Sequence, residues 1–195
     1  MMKKLRLITL TAFAAICMSV SAQEPFATFY GQYNLSYLKS SHDSDSHKDN
    51  YNEVTLGYNY ATPLFSIPLY LEFGGAVQWA FKSEDEAKTN ILALKAPVNL
   101  LFSINISDDF KILPYGGFYG RANLLAKTKP NESKSINWFK SDYFNAKRFQ
   151  VGVNGGVKFM IGETVVIGAG YYRDLTDIAD DIYFEGWDFT IGMVL

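Results

Sequence analysis

Arg148-Phe149-Gln150-Val151-Gly152-Val153-Asn154-Gly155-Gly156-Val157-Lys158-Phe159-Met160 is the stretch whose reading decides the fold. Phe149, Val151, Val153, Gly155, Val157 and Phe159 share one parity; Arg148, Gln150, Gly152, Asn154, Gly156, Lys158 and Met160 share the other. A period of two sends successive side chains to opposite faces of an extended strand. The run outlasts the roughly 5–6 residues usual for a soluble strand. It also exceeds the roughly 9–11 residues with which a tilted strand crosses a bilayer. Leu69–Lys82 repeats the pattern, with Leu69, Leu71, Phe73, Gly75, Val77, Trp79 and Phe81 opposite Tyr70, Glu72, Gly74, Ala76, Gln78, Ala80 and Lys82.

Working outward, the same reading yields eight strands, near 26–38, 52–61, 69–82, 90–105, 111–125, 148–160, 164–173 and 186–195. The most apolar stretch, Ile91–Ile106, is interrupted by Lys95, Pro97 and Asn99, so no helix-type membrane span is expected. Connections alternate in length. Residues 39–51, 83–89, 126–147 and 174–185 form long polar loops; 62–68, 106–110 and 161–163 form short turns. Short turns at one end and long loops at the other are the arrangement of an outer-membrane barrel. The expected fold is all-β: an eight-stranded antiparallel up-and-down transmembrane β-barrel. Pro97 and Pro114 fall inside strands of a sheet that has no edge to host them. A bulge at each, or a break of the fourth strand at Pro97, is the expected accommodation.

Alternation alone also fits a soluble barrel turned inside out, with the apolar face within. The polar face here is rich in Gly, Ala, Asn, Gln and Thr, as a narrow eight-stranded interior requires. It carries few charges, of both signs: Glu53, Glu72 and Asp188 against Lys82, Lys95, Lys111, Arg121, Arg148 and Lys158. Charges in such a lumen must be paired or hydrated. The apolar face places Tyr37, Trp79, Phe81, Phe149, Tyr171 and Trp187 toward the loops. Phe29, Tyr58, Tyr60, Phe102 and Phe159 lie toward the turns. Two aromatic girdles around an aliphatic band mark the two interfaces of a membrane. The membrane barrel is therefore the reading taken, over a soluble lipocalin-like one.

The chain begins with Lys3, Lys4 and Arg6, an apolar run from Leu5 to Val20, and small residues at Val20-Ser21-Ala22. That order reads as a secretory signal peptide over residues 1–22, with the barrel at 23–195. Its apolar run is too short for a spanning anchor. Ile16 stands where a lipoprotein signal would want a small residue before Cys17. Without residues 1–22 the chain has no cysteine and no disulfide framework. Lys+Arg falls from 18 to 15 against 20 Asp+Glu, a formal charge of −5. With no basic excess, nucleic acid is not an expected partner.

The last strand places Trp187, Phe189, Ile191, Met193 and Leu195 on alternate positions. It resembles the C-terminal strand signal read by the barrel-insertion machinery, with Leu195 where the usual aromatic stands. Three further stretches carry a family resemblance: Leu94-Lys95-Ala96-Pro97-Val98-Asn99-Leu100-Leu101, Pro114-Tyr115-Gly116-Gly117-Phe118, and Gly152–Val157 leading to Gly170–Ile178. On these the chain resembles the outer-membrane β-barrel domain family common in Bacteroidetes, often labelled porin-family, of the small OmpX/OmpA-like kind. The resemblance implies location in the outer membrane and carries no catalytic residues to transfer.

The loops offer three chemistries. His42, Asp43, Asp45, His47 and Asp49 could ligate a cation, but their spacing matches no metal motif, so no metal and no cofactor is expected. The same histidines are the only bases of a serine-type lipid-modifying enzyme, and nothing fixes a nucleophile against them, so no enzyme is expected. Residues 126–147 join Lys127, Lys129, Lys134, Lys140 and Lys147 to Trp138, Phe139, Tyr143 and Phe144. They are the best recognition surface, for lipopolysaccharide headgroups or a protein, unless the aromatics simply dip into the outer membrane interface. The expected function is structural or surface-interacting, through the loops of a monomer embedded in outer-membrane lipid. The alternative is a narrow channel or transporter for small or lipophilic solutes.

Overall fold

A computed structural model describes residues 24–40, 49–83, 87–130, 134–140, 146–179 and 182–195. Among these residues there is no helix. The strands are β1 (Phe26–Ser40), β2 (Asp49–Leu64), β3 (Leu69–Ser83), β4 (Ala87–Phe102), β5 (Ile104–Ser107), β6 (Phe110–Pro130), β7 (Ile136–Asn137), β8 (Phe149–Ile161), β9 (Val165–Asp174) and β10 (Ile182–Val194). β5 prolongs β4 beyond Ser103, and β7 is a two-residue stub on β6. The other eight are long, and each pairs antiparallel with two neighbours.

Pairing runs between chain neighbours throughout. The seam from Thr28↔Val194 to Ser40↔Ile182 joins the first strand to the last and closes the ring. A ring has no edge, so along the paired ladders backbone donors and acceptors meet within the sheet, the condition for a sheet in hydrocarbon. The fold is the closed eight-stranded antiparallel barrel expected.

Most strands are longer than the alternation indicated, while β8 and β9 keep their expected lengths one residue on. β2 covers 49–64 where 52–61 was expected, and the fifth long strand, β6, covers 110–130 where 111–125 was expected. Two turns shrink, to 65–68 and 108–109, and the third moves by one residue to 162–164. In the last, Gly162 (φ 56°) and Glu163 (φ 51°) both occupy the left-handed region, and Thr164 N donates to Ile161 O at 3.2 Å. Two positive φ values suit a type I′ turn, whose twist matches the flanking strands.

The prolines correct the expectation of local bulges. The β3–β4 ladder passes from Phe73↔Val98 to Ala76↔Lys95 without a register shift, skipping the positions of Ala96 and Pro97. Pro97 still pairs with Tyr119 on the other side, so β4 does not break there. Pro114 pairs with Val157, while its other flank falls in the gap between Leu101↔Tyr115 and Ile104↔Ile112. Each missing N–H is absorbed by a skipped rung on one flank. The register shifts lie elsewhere: Leu92 faces Leu125 and Ala93 faces Asn123, leaving Leu124 extra, and Asn105 faces Lys111 while Ser107 faces Phe110, leaving Ile106 extra.

The two faces separate as physical chemistry demands. Phe29, Leu56, Val77, Trp79, Phe118 and Ile191 stand exposed around the outside. Such a belt would aggregate in water and is solvated by lipid. Glu53, Glu72, Gln78, Asn99, Arg121 and Asp188 are buried within. Inward tyrosines lie over cross-strand glycines that leave them room. A Cβ at Gly57 would come within 2.6 Å of the Tyr30 ring, and one at Gly152 within 2.3 Å of Tyr119.

Candidate functional site

The interior is built from side chains that reach across the lumen. β3 and β8 are not neighbours, yet Lys158 Nζ donates to Glu72 at 2.6 and 2.8 Å. Glu72 also accepts from Asn99 Nδ2 at 2.9 Å, and Asn154 Nδ2 donates to Asn99 Oδ1 at 3.0 Å. A second bridge joins β2 to β9. Glu53 Oε2 accepts from Gln78 Nε2 (2.6 Å), Asn34 Nδ2 (2.9 Å) and Tyr172 OH (3.0 Å), and Tyr172 OH meets Ser36 Oγ at 2.5 Å. Toward the loops, Arg121 forms a buried ion pair with Asp174, whose other oxygen accepts from Tyr119 OH at 2.6 Å. Asp188 accepts from Gln32 Nε2 at 2.8 Å. Lys95 is held differently, its Nζ 4.2 and 4.8 Å from the ring centroids of Tyr119 and Tyr172. Aromatic faces attract a cation through their quadrupole, and more strongly where water is excluded.

Of the charges read as lumenal, Glu53, Glu72, Lys95, Arg121, Lys158 and Asp188 lie in this network. Lys111 and Arg148 do not. Lys111 sits at the turn-side rim, bonded to the exposed Glu163 at 2.5 Å, and that bond holds the Glu163 carboxyl below its ordinary range. Arg148 is exposed, its guanidinium 4.3 Å from the Phe139 ring centroid. Lys82 lies 5.8 Å from the Tyr51 ring centroid. Asp174 was missed because the sequence reading began a loop there. Its parity with Tyr172 is the signal that would have found it, since inward positions recur every second residue.

Above the ionic layer the barrel is plugged by apolar side chains. Tyr51, Ile91, Tyr119, Tyr172, Phe184 and the folded-back Trp138 and Ile178 form one buried cluster. Trp138 N donates to Ala126 O at 3.0 Å and its Nε1 to Thr128 Oγ1 at 2.9 Å, so the indole turns into the mouth. Lys147 N donates to Ile178 O at 2.7 Å, tying two loops together over the lumen. This corrects the expectation that Trp138 belongs to the recognition surface: it is buried, while Lys134, Lys140 and Lys147 remain exposed. At the opposite end Tyr70, Leu101, Leu113, Met160 and Val166 form a second cluster, beneath which a vestibule of about 1040 Å³ opens outward. Between the clusters, spaces of only about 40 and 10 Å³ lie among the polar side chains.

Trp187, Phe189, Ile191 and Met193 face outward on β10, and Leu195, just past its end, is exposed as well. The segment read as a signal peptide, both histidines with Asp43 and Asp45, and Tyr143 and Phe144 lie outside the described residues, as does the Asp49 side chain.

The structure is similar to Ail, the attachment invasion locus protein of Yersinia pestis, at 15% identity and a TM-score of 0.54, covering 89% of this chain and 100% of Ail. The Neisserial surface protein A gives 13% identity and a TM-score of 0.51, over 88% and 99% of the two chains. The outer membrane enzyme PagL gives 10% and 0.54, over 85% and 97%. At these identities the likeness is one of fold. No curated protein sequence matches the chain. Residues 8–194 match the family described as outer membrane protein beta-barrel domain. With a closed ring, a lipid-facing belt and a match along nearly its whole length, the chain belongs to that family, and its place is the outer membrane.

Proposed function

We propose that this protein is a non-conducting, non-enzymatic barrel that acts at the cell surface through its loop-side end. One observation carries the reading: Trp138, Ile178 and Phe184 pack with Tyr119 and Tyr172 into a plug above an interior already bridged by Lys158–Glu72 and Tyr172–Glu53. A solute entering the turn-side vestibule meets one apolar cluster, then paired charges, then the loop-side plug. Eight strands enclose space that side chains fill. The exposed Lys134, Lys140, Lys147 and Arg148 suit anionic lipopolysaccharide headgroups at the mouth. The outward terminal strand suits recognition by the insertion machinery, and a monomer suffices for both.

The motifs around Pro97, Pro114 and Gly152–Ile178 favour the Bacteroidetes type within the family, and the basic, then apolar start favours a cleaved leader over residues 1–22. The deciding experiment is conductance in planar bilayers. Refolded protein should insert without producing current steps. Stable, repeated steps that vanish when the barrel is heat-denatured would replace this reading with the narrow channel.

A further inference from the structure

We propose that the outer wall formed by β3, β4 and β6 holds one phosphorylated lipid of the loop-side leaflet. Lys88, Lys127 and Lys129 take its phosphate, and an apolar groove beneath them takes an acyl chain. This deepens the surface role above and rests on its contact with anionic lipid, but places that lipid on the outer wall and not at the mouth.

The direction of the lysines is fixed by their neighbours. Thr89 and Thr128 point inward, their hydroxyls 2.9 Å apart beneath the Trp138 indole. Strand alternation then turns Lys88, Lys127 and Lys129 outward, and all three are exposed. Lys88 stands directly opposite Lys129 in the ladder, and Lys127 follows two residues along, opposite Asn90. Like charges directly opposite each other destabilise a strand pair. Among the described residues none of the three has an ion-pair partner. A bound phosphate turns that repulsion into attraction.

Descending the same outer face, the rungs read Leu92↔Leu125, Leu94↔Ala122 and Ala96↔Gly120, with Gly75 beside Ala96 on β3. A Cβ at Gly75 or Gly120 would touch nothing within 4 Å. Leu56, Val77, Leu94 and Phe149 stand around this recess, and the groove they wall has a volume of about 870 Å³. From Lys127 to Gly120 the strand rises roughly 20 Å at about 3.3 Å per residue, or about 15 Å of depth at a tilt near 40°. That is about half the hydrocarbon thickness, so head and chain sites belong to one leaflet. An anionic head joined to an apolar chain fits both. A soluble polyanion would use the lysines alone, and a second copy would set one lysine cluster against another.

The test is native mass spectrometry of the full mature chain refolded in a zwitterionic detergent. The probes are a diphosphorylated lipid A, the same lipid with its phosphates removed, and inorganic phosphate as competitor. Wild type should retain one diphosphorylated lipid per chain, and the K88Q/K127Q/K129Q variant should bind it about a hundredfold more weakly. Gly120→Leu, which fills the recess, should weaken retention without touching the lysines. Lys111→Gln, at the turn-side rim and paired with Glu163, should leave it unchanged. Every variant is first shown to be folded by its gel shift on heating; should the triple variant not fold, Lys127→Gln alone carries the charge arm. Equal retention of the dephosphorylated lipid, an unaffected lysine variant, full displacement by inorganic phosphate, or a two-chain species each overturns the proposal. None of these outcomes depends on whether the barrel conducts.

Discussion

Arg121 and Asp174 show how much a single buried side chain carries in this lumen. Their ion pair is sealed between Tyr119 and the Phe184 ring, whose centroid lies 5.0 Å from the guanidinium. Removing one member leaves the other charged and buried, which costs about 3–5 kcal/mol, while replacing both by apolar groups of like volume is far milder. Arg121→Met should therefore lower the urea-unfolding stability of the vesicle-inserted barrel by that amount, and adding Asp174→Leu should recover most of it. A double variant as unstable as the single would mean that the pair is not the unit of stability. Val153 and Asn154 offer a second contrast, because neighbours on β8 face different media. Asn154 bonds inward to Asn99, so Val153 faces lipid. Val153→Lys sets a charge near the midplane and should cost about 2–4 kcal/mol. A spin label on Val153→Cys should be relaxed by lipid-borne quenchers, and one on Asn154→Cys should not; the reverse result would invert the assigned faces.

Among the elements, the strands were the most legible and the loops the least, for a physical reason. A strand writes its two environments into every second residue, so β3 and β8 could be read from parity alone. The ends of β2 and β6 could not, because beyond the membrane both faces meet polar surroundings and the alternation fades. Nor could the partners within the lumen: Lys158 meets Glu72 across the barrel, a match set by closure and not by local spacing. Trp138 was misread since an aromatic among lysines looks the same in sequence whether it faces solvent or folds back onto Thr128. Pro97 was over-interpreted, since the β3 ladder skips a rung there with no change of register. Pro97→Ala should accordingly leave stability nearly unchanged, whereas a proline at paired Leu94 should cost about 3 kcal/mol or more by deleting a used donor and straining the strand. Unfolding titrations of the two variants decide this, and a large loss from Pro97→Ala would restore a structural role to the proline.

The whole molecule depends on a seam that only the last strand completes. β10 pairs with β9 on one side and with β1 on the other, the latter from Thr28↔Val194 to Ser40↔Ile182. Without β10 the ring opens and two strands present unpaired N–H and C=O groups to hydrocarbon, each at a cost of several kcal/mol. The loops make no such contribution, because the 134–140 segment adds a cap and no rung between the long strands. Two deletions therefore separate closure from capping. A chain lacking 187–195 should insert poorly and run identically on a gel whether or not it is boiled. A chain lacking 134–140 should keep the heat-dependent shift of a closed barrel while exposing the cluster around Tyr119 and Phe184 to water. That second chain still holds the apolar cluster of Tyr70, Leu101, Leu113, Met160 and Val166 at the turn end, so it should stay silent in planar bilayers like wild type. A heat shift surviving the first deletion would mean that the ring closes without β10. A gain of current after the second would locate the whole barrier in the loop-side cap.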